Sequence, residues 1–178
     1  MALILPWNGI MPRIAADAFI APNATIIGDV EIGSRASIWF GCIVRGDTSY
    51  IRIGAGTNIQ DGSIVHVSSA NGPRKEKPTI IGANVLIGHQ VMVHGATIED
   101  HAFIGMSCLL LDACVVETDA MLGAGSLLSA NKRIPRGQIW AGRPAKYFCD
   151  LTPDQITRMR EDTEGYAERG QQYLRQLS

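Results

Sequence analysis

Aromatic residues are scarce in this chain: they make up 6% of 178 residues, although 46% are hydrophobic. Ile, Val, Leu and Ala therefore carry the apolar content. An excess of one charge is also missing. The net charge is −1 and no basic block stands out, which argues against nucleic acid as a partner. No apolar run is long enough to span a bilayer. The opening, MALILPWNGIMPR, meets a proline early and has no charged n-region, so it does not read as a signal peptide. The expectation is a cytoplasmic protein that does not enter the membrane. Paired CxxC spacing is absent as well. Cys42, Cys108, Cys114 and Cys149 read as free thiols of a reducing compartment, small enough to be buried.

What the sequence has is a period. Aliphatic residues recur every six positions at Ile20, Ile26, Ile32, Ile38 and Val44, then at Ile53, Ile59 and Val65, then at Ile81, Ile87 and Val93. A last run covers Ile98, Ile104, Leu110, Val116, Leu122, Leu128 and Ile134, closed by Trp140. Four places after most of these stands a small or β-branched residue, such as Ala24, Cys42, Ser63, Thr97 or Ser126. A helix needs apolar spacings of three and four, and a simple strand needs two. Period six fits short strands joined by tight corners, three to a coil of 18 residues. The aliphatic residue points inward, and each coil bonds to the next. The fold class is thus an all-β parallel β-helix of hexapeptide repeats.

Two insertions interrupt the period. Three residues are added between Val44 and Ile53, and ten between Val65 and Ile81. The second carries SSANGPRKEKP and reads as an exposed loop. Near residue 150 the pattern changes. Residues 1–150 are expected to form the β-helix domain, and 151–178 a C-terminal α-helix packed on it. Thr152 is the expected N-cap, Pro153 suits the first turn and Gln155 completes a capping box. Ile156, Met159, Tyr166, Tyr173, Leu174 and Leu177 form its candidate docking stripe, and Gly165 and Gly170 are expected to weaken or kink it.

The period also works as a ruler. His66 and His94 are 28 residues apart, one 18-residue coil plus the ten-residue insertion, so they fall on adjacent rungs of one face. Arg45 lies 21 residues before His66, one coil plus three, and joins that ladder. Rungs of a sheet lie about 4.8 Å apart, close enough for two imidazoles to share a metal. His89 belongs to the preceding face, one rung from Asp61. Only a neighbouring copy, as in a three-fold trimer, would bring a His89 to the His66/His94 pair. Trp39, Gly88, Gly105 and Gly123 on the His89 face, and Ile27 and Leu111 on the other, suggest subunit contact. Glu99, Asp100, Glu117 and Arg136 mark the third face as solvated, and His101 there reads as structural or solvated. Hydrogen-bonding histidines without a metal are the ordinary alternative.

The stretches VRGDTSYIRIGAGTNIQDGSIVHV (44–67), IGANVLIGHQVMVHG (81–95), IGMSCLLLDACVV (104–116), GAGSLL (123–128) and WAGRPAKY (140–147) resemble the gamma-class carbonic anhydrase family. The resemblance implies a left-handed β-helix and a homotrimer. It implies that His66 and His94 of one chain and His89 of its neighbour bind zinc, or alternatively ferrous iron or cobalt. It also implies an intersubunit ion pair of Arg45 with Asp47, and Asn58, Gln60 and Asp61 beside the metal, with Gln60 orienting hydroxide. The implied reaction is reversible hydration of carbon dioxide to bicarbonate. The best-characterised members carry a glutamate where this chain has Thr48, and an acidic loop where this chain has a shorter basic one with Glu76 its only acid. That difference points to the shuttle-poor branch of the family.

Three rival readings stand beside this one. A metal-dependent thioesterase of the phenylacetate-pathway type would act on acyl-CoA and need a pocket for an acyl chain. A hexapeptide acyltransferase would use one histidine as general base and no metal. A non-catalytic trimeric scaffold would need neither. Tyr166 is expected to pack, with an approach to the metal as its alternative.

Overall fold

The computed structural model describes residues 2–70, 73 and 75–177. Its strands stack in parallel, each rung one coil from the next, and the aliphatic residues form three internal columns. Ile26, Val44, Val65, Val93, Leu110 and Leu128 pair in succession down one. Ile32, Ile53, Ile81, Ile98, Val116 and Ile134 form the second. Ile38, Ile59, Ile87, Ile104 and Leu122 form the third, ended by Ile20 and Trp140. Apart from those two end residues, every member is at most 3% exposed. Each such burial contributes about 1.5–3 kcal/mol, and the columns are the core. Strands Thr25–Ile32 and Ile43–Ile53 are long and run round a corner, joining the first two faces into one 12-stranded sheet.

Corners put non-glycine residues in the left-handed region, among them Asn84, Gln90, Ser107 and Ala113 at φ 53–58°. The strain is offset rung by rung, because each corner N–H donates to the coil before it, as Gln90 does to the Asp61 carbonyl at 2.9 Å. The corner column of small residues is filled as expected except at one place. Val93 and Ile98 are five apart rather than six, so Ala96 and not Thr97 takes the buried corner.

The last coil departs from the repeat. Gln138–Gly142 continues the third column, and Ala145–Asp150 returns antiparallel beside it, closing that end. The helix Pro153–Leu177 follows. Its capping box is complete: Thr152 N–H donates to Gln155 Oε1 at 2.8 Å, and Gln155 N–H to Thr152 Oγ1 at 3.3 Å. The helix lies along the face of the third column, the one that carries His89. The scarce aromatics gather under it, with Phe19, Trp39, Phe40, Tyr166 and Tyr173 in ring contact at 5.2–6.4 Å. Buried Asp119 accepts from Arg160 at 2.7 Å and Arg136 at 3.0 Å, tying the helix to the far coils.

Several expectations change. Trp39 is 5% exposed because its own helix covers it, so it makes no subunit surface. Leu177 lies past the docked part of the stripe and is 56% exposed. The helix runs unbroken through both glycines. Gly170 approaches the sheet closely, since an added Cβ would sit 3.0 Å from Ser37 Cβ. Ser68 and Lys77 bridge at the neck of the long loop, of which Asn71, Gly72 and Arg74 lie outside the described residues. Of the two readings of His101 the structural one fits, since its Nδ1 is buried in a left-handed corner and makes no hydrogen bond among the described residues.

Candidate metal centre

His66 and His94 end two adjacent strands, Ile64–His66 and Met92–His94, and are direct register partners. Their ring centroids are 5.2 Å apart, the rung spacing carried outward to the side chains. Each ring has one nitrogen on a carboxylate: His66 Nε2 on Asp47 at 2.9 Å, and His94 Nδ1 on Asp112 at 2.6 Å. The other nitrogens, His66 Nδ1 and His94 Nε2, make no hydrogen bond among the described residues. A carboxylate on one ring nitrogen is the arrangement that fixes the tautomer of a metal-binding histidine. Asp47 also accepts from Arg45. Burial works to raise the Asp47 carboxyl, but its bonds from His66 and Arg45 outweigh this and hold it below its ordinary value. Arg45 and Asp47 both lie on strand Ile43–Ile53 and pair within the chain, where the resemblance implied a pair between subunits. Behind them opens a cleft of about 250 Å³, lined by Trp7, Asp47, Thr48, Tyr50 and Glu76.

His89 stands elsewhere, in the turn after strand Leu86–Ile87, with Nδ1 2.9 Å from Asp61 Oδ2. Beside it Gln60 is only 4% exposed, and its Nε2 donates to Asn58 Oδ1 at 3.1 Å. Asn58 is fully buried. A second hollow of about 370 Å³ opens here, lined by Gln60, Leu86, His89, Phe103, Met106 and Tyr166 among others. Tyr166 stands edge-on to Trp39 at 5.8 Å, and its hydroxyl makes no hydrogen bond among the described residues. A larger hollow of about 630 Å³, with Arg13, Glu31 and Arg52 in its lining, sits on the polar face and has no histidine.

The chain thus brings the expected residues together in two groups. Arg45, Asp47, His66 and His94 make one, and Asn58, Gln60, Asp61 and His89 the other. Among the described residues no three metal-ligating side chains of one chain converge. The donor set still suits a metal such as zinc: three imidazoles, each oriented by a carboxylate and each with one nitrogen free of hydrogen bonds. Sequence reasoning missed Asp112. The signal was there, since the 17-residue coil from Val93 to Leu110 puts Leu111 one rung from His94, and Asp112 is the next residue.

Known proteins resemble this chain along most of its length. Residues 11–46 match the model of the bacterial transferase hexapeptide (six repeats) family. The chain is 49% identical to gamma carbonic anhydrase 2, mitochondrial, of Arabidopsis thaliana, over 87% of this chain and 56% of that protein. It therefore spans little more than half the length of that relative. It is 44% identical to a carbonic anhydrase of Geobacillus kaustophilus, over 96% of this chain and 91% of that one. Among solved structures, a hexapeptide transferase family protein of Anaplasma phagocytophilum superposes with a TM-score of 0.90 at 42% identity, covering 96% of this chain and 98% of that one.

Proposed function

We propose, from the premise that this chain belongs to the gamma carbonic anhydrase family, that it hydrates carbon dioxide reversibly to bicarbonate at a metal shared between two copies in a trimer. His66 and His94 of one copy and His89 of the next would hold the ion, zinc or alternatively ferrous iron or cobalt. The observation that carries this reading is the split itself: two histidines with register-matched rings, a third on another face, and a carboxylate behind every one. Zinc in such a set supplies hydroxide near neutral pH, because it lowers the pKa of its water to about 7.

The chain's own residues do the rest. Asp47, Asp112 and Asp61 hold the three rings in one orientation. Arg45 neutralises Asp47, so that the carboxylate orients His66 without adding unpaired charge. Gln60, held by buried Asn58, presents a fixed amide to the reacting oxygen. The Leu86 and Phe103 walls give uncharged carbon dioxide a place to enter beside His89. The cleft with Thr48 and Glu76 leads from Asp47 to solvent and is the path by which a proton leaves. Four unpaired thiols fit a reducing compartment such as the cytoplasm. Among the described residues no helix is long and apolar enough to cross a membrane.

An acyltransferase would need a single histidine, and the matched pair with two carboxylates has no role in that chemistry. The test is metal content per chain and native mass, measured on protein purified without oxygen, together with carbon dioxide hydration by stopped flow. About one metal per chain in a trimer that hydrates carbon dioxide is expected. A monomer without metal, with zinc and ferrous iron both offered, would remove the reading.

A further inference from the structure

We propose that the hollow between the C-terminal helix and the His89 corner binds the apolar tail of a small carboxylic acid or acyl group, and that Ala124 and Met106 set the tail length. The inference rests on His89 belonging to the reactive centre. At about 370 Å³ the hollow falls within the range of small-molecule sites, about 300–1,000 Å³. A molecule of water's size occupies about 30 Å³, so carbon dioxide alone leaves most of it vacant.

Its chemistry is divided. Gln60 and His89 stand in a lining that is otherwise almost wholly apolar, with Leu86, Phe103, Met106 and Met121 as walls and Tyr166 as roof. The floor is bare backbone for a structural reason. A Cβ on Gly88 would lie 2.8 Å from Met106 N, and one on Gly105 2.5 Å from Ala124 N, so the next rung forbids side chains there. Met106, one rung beyond His89 and 54% exposed, is unbranched and able to fit varied tails. An amphiphile matches this division, with its oxygens toward His89 and Gln60 and its methylenes against the walls.

The experiment titrates zinc-loaded protein with acetate, butanoate, hexanoate and octanoate. Binding is read by calorimetry and by saturation transfer to the ligand protons, with zinc content measured on each sample. Each buried methylene strengthens binding about fourfold, so hexanoate should bind at least about tenfold tighter than acetate. Ala124→Leu fills the hollow and should bring hexanoate down to the acetate level. Met106→Ala lengthens it and should move the preference to octanoate. Both variants should keep the wild-type zinc content. Equal binding of acetate and hexanoate, the result expected if a neighbouring copy's side chain fills the hollow, would overturn the proposal. So would an unchanged preference in whichever variants keep the wild-type circular dichroism. Zinc-loaded protein without tail preference sinks the tail site alone, and tail preference in protein that takes up no zinc sinks the shared metal alone.

Discussion

The two histidine corners of the coil are built in different ways. The His66/His94 corner is strand register and nothing more: Val65 pairs with Val93, and the next residues must meet. The His89 corner is a turn roofed by a helix that arrives far later in the chain. The first is complete within any chain that folds. The second depends on how the helix docks. In the proposed trimer the two are halves of one site that meet only between copies.

The largest effect comes from breaking each half separately. His94→Ala and His89→Ala should each remove nearly all bound metal and all carbon dioxide hydration. Unfolded together and refolded as mixed trimers, they should regain activity, because the His66/His94 half of one variant then faces the intact His89 of the other. With random assortment about a quarter of the interfaces are intact. Recovery of none, with trimers shown to mix by native mass, would mean that the halves do not join across copies.

The same contrast explains what could be read from the sequence. Register is arithmetic, so the His66–His94 contact, the Arg45 ladder and the His89–Asp61 pairing were all legible from the period and its two insertions. The corner shift from Thr97 to Ala96 is arithmetic too, since a five-residue step moves the corner with it. The helix placement was not legible. Its amphipathic stripe says that it docks but not where, so the burial of Trp39 beneath it, the Gly170 approach and the hollow beside His89 needed the structure. The closing strand Ala145–Asp150 escaped for a related reason, because antiparallel return has no period to announce it.

Removing the carboxylates behind the rings sharpens the comparison at smaller cost. Asp112→Asn and Asp61→Asn leave the ligands in place and loosen their orientation. Each should weaken metal affinity about 10- to 100-fold, measured by competition with a chromophoric chelator. Similar losses at both corners would show that each carboxylate orients its own ring. If Asp61→Asn leaves affinity unchanged, His89 is positioned by its turn alone.

Asp119→Asn tests the helix-dependent half through its anchor. The carboxylate is 2% exposed, but Arg136 and Arg160 are 70% and 47% exposed, so solvent screens much of the interaction. The expected cost is about 1–2 kcal/mol in urea unfolding. Amides of the helix should exchange faster, while those of Ile64–His66 and Met92–His94 stay protected. Equal loss of protection in both regions would mean that the helix and the coil unfold as one unit.

The smallest expected effect concerns the thiols packed inside the coil. Cys42 lies under the His89 corner and donates to the Gln60 carbonyl at 3.1 Å, and Cys108 donates to the Gly123 carbonyl at 3.1 Å. Burial pushes the Cys42 thiol up to about 11 and Cys114 to about 12, and raises Cys108 as well. The thiolate is the reactive form, and at pH 8 only about one Cys42 in a thousand is ionised. Cys149, on the closing strand, is only partly buried and open to a reagent. A chromogenic disulfide reagent at pH 8 should therefore titrate one thiol per chain in the folded protein and all four after denaturation. Metal content should be unchanged by that one modification, because Cys149 lies outside both corners. Rapid labelling of Cys42 in the folded protein would show that the His89 corner opens to solvent, and that the helix-dependent half is looser than the strand-built one.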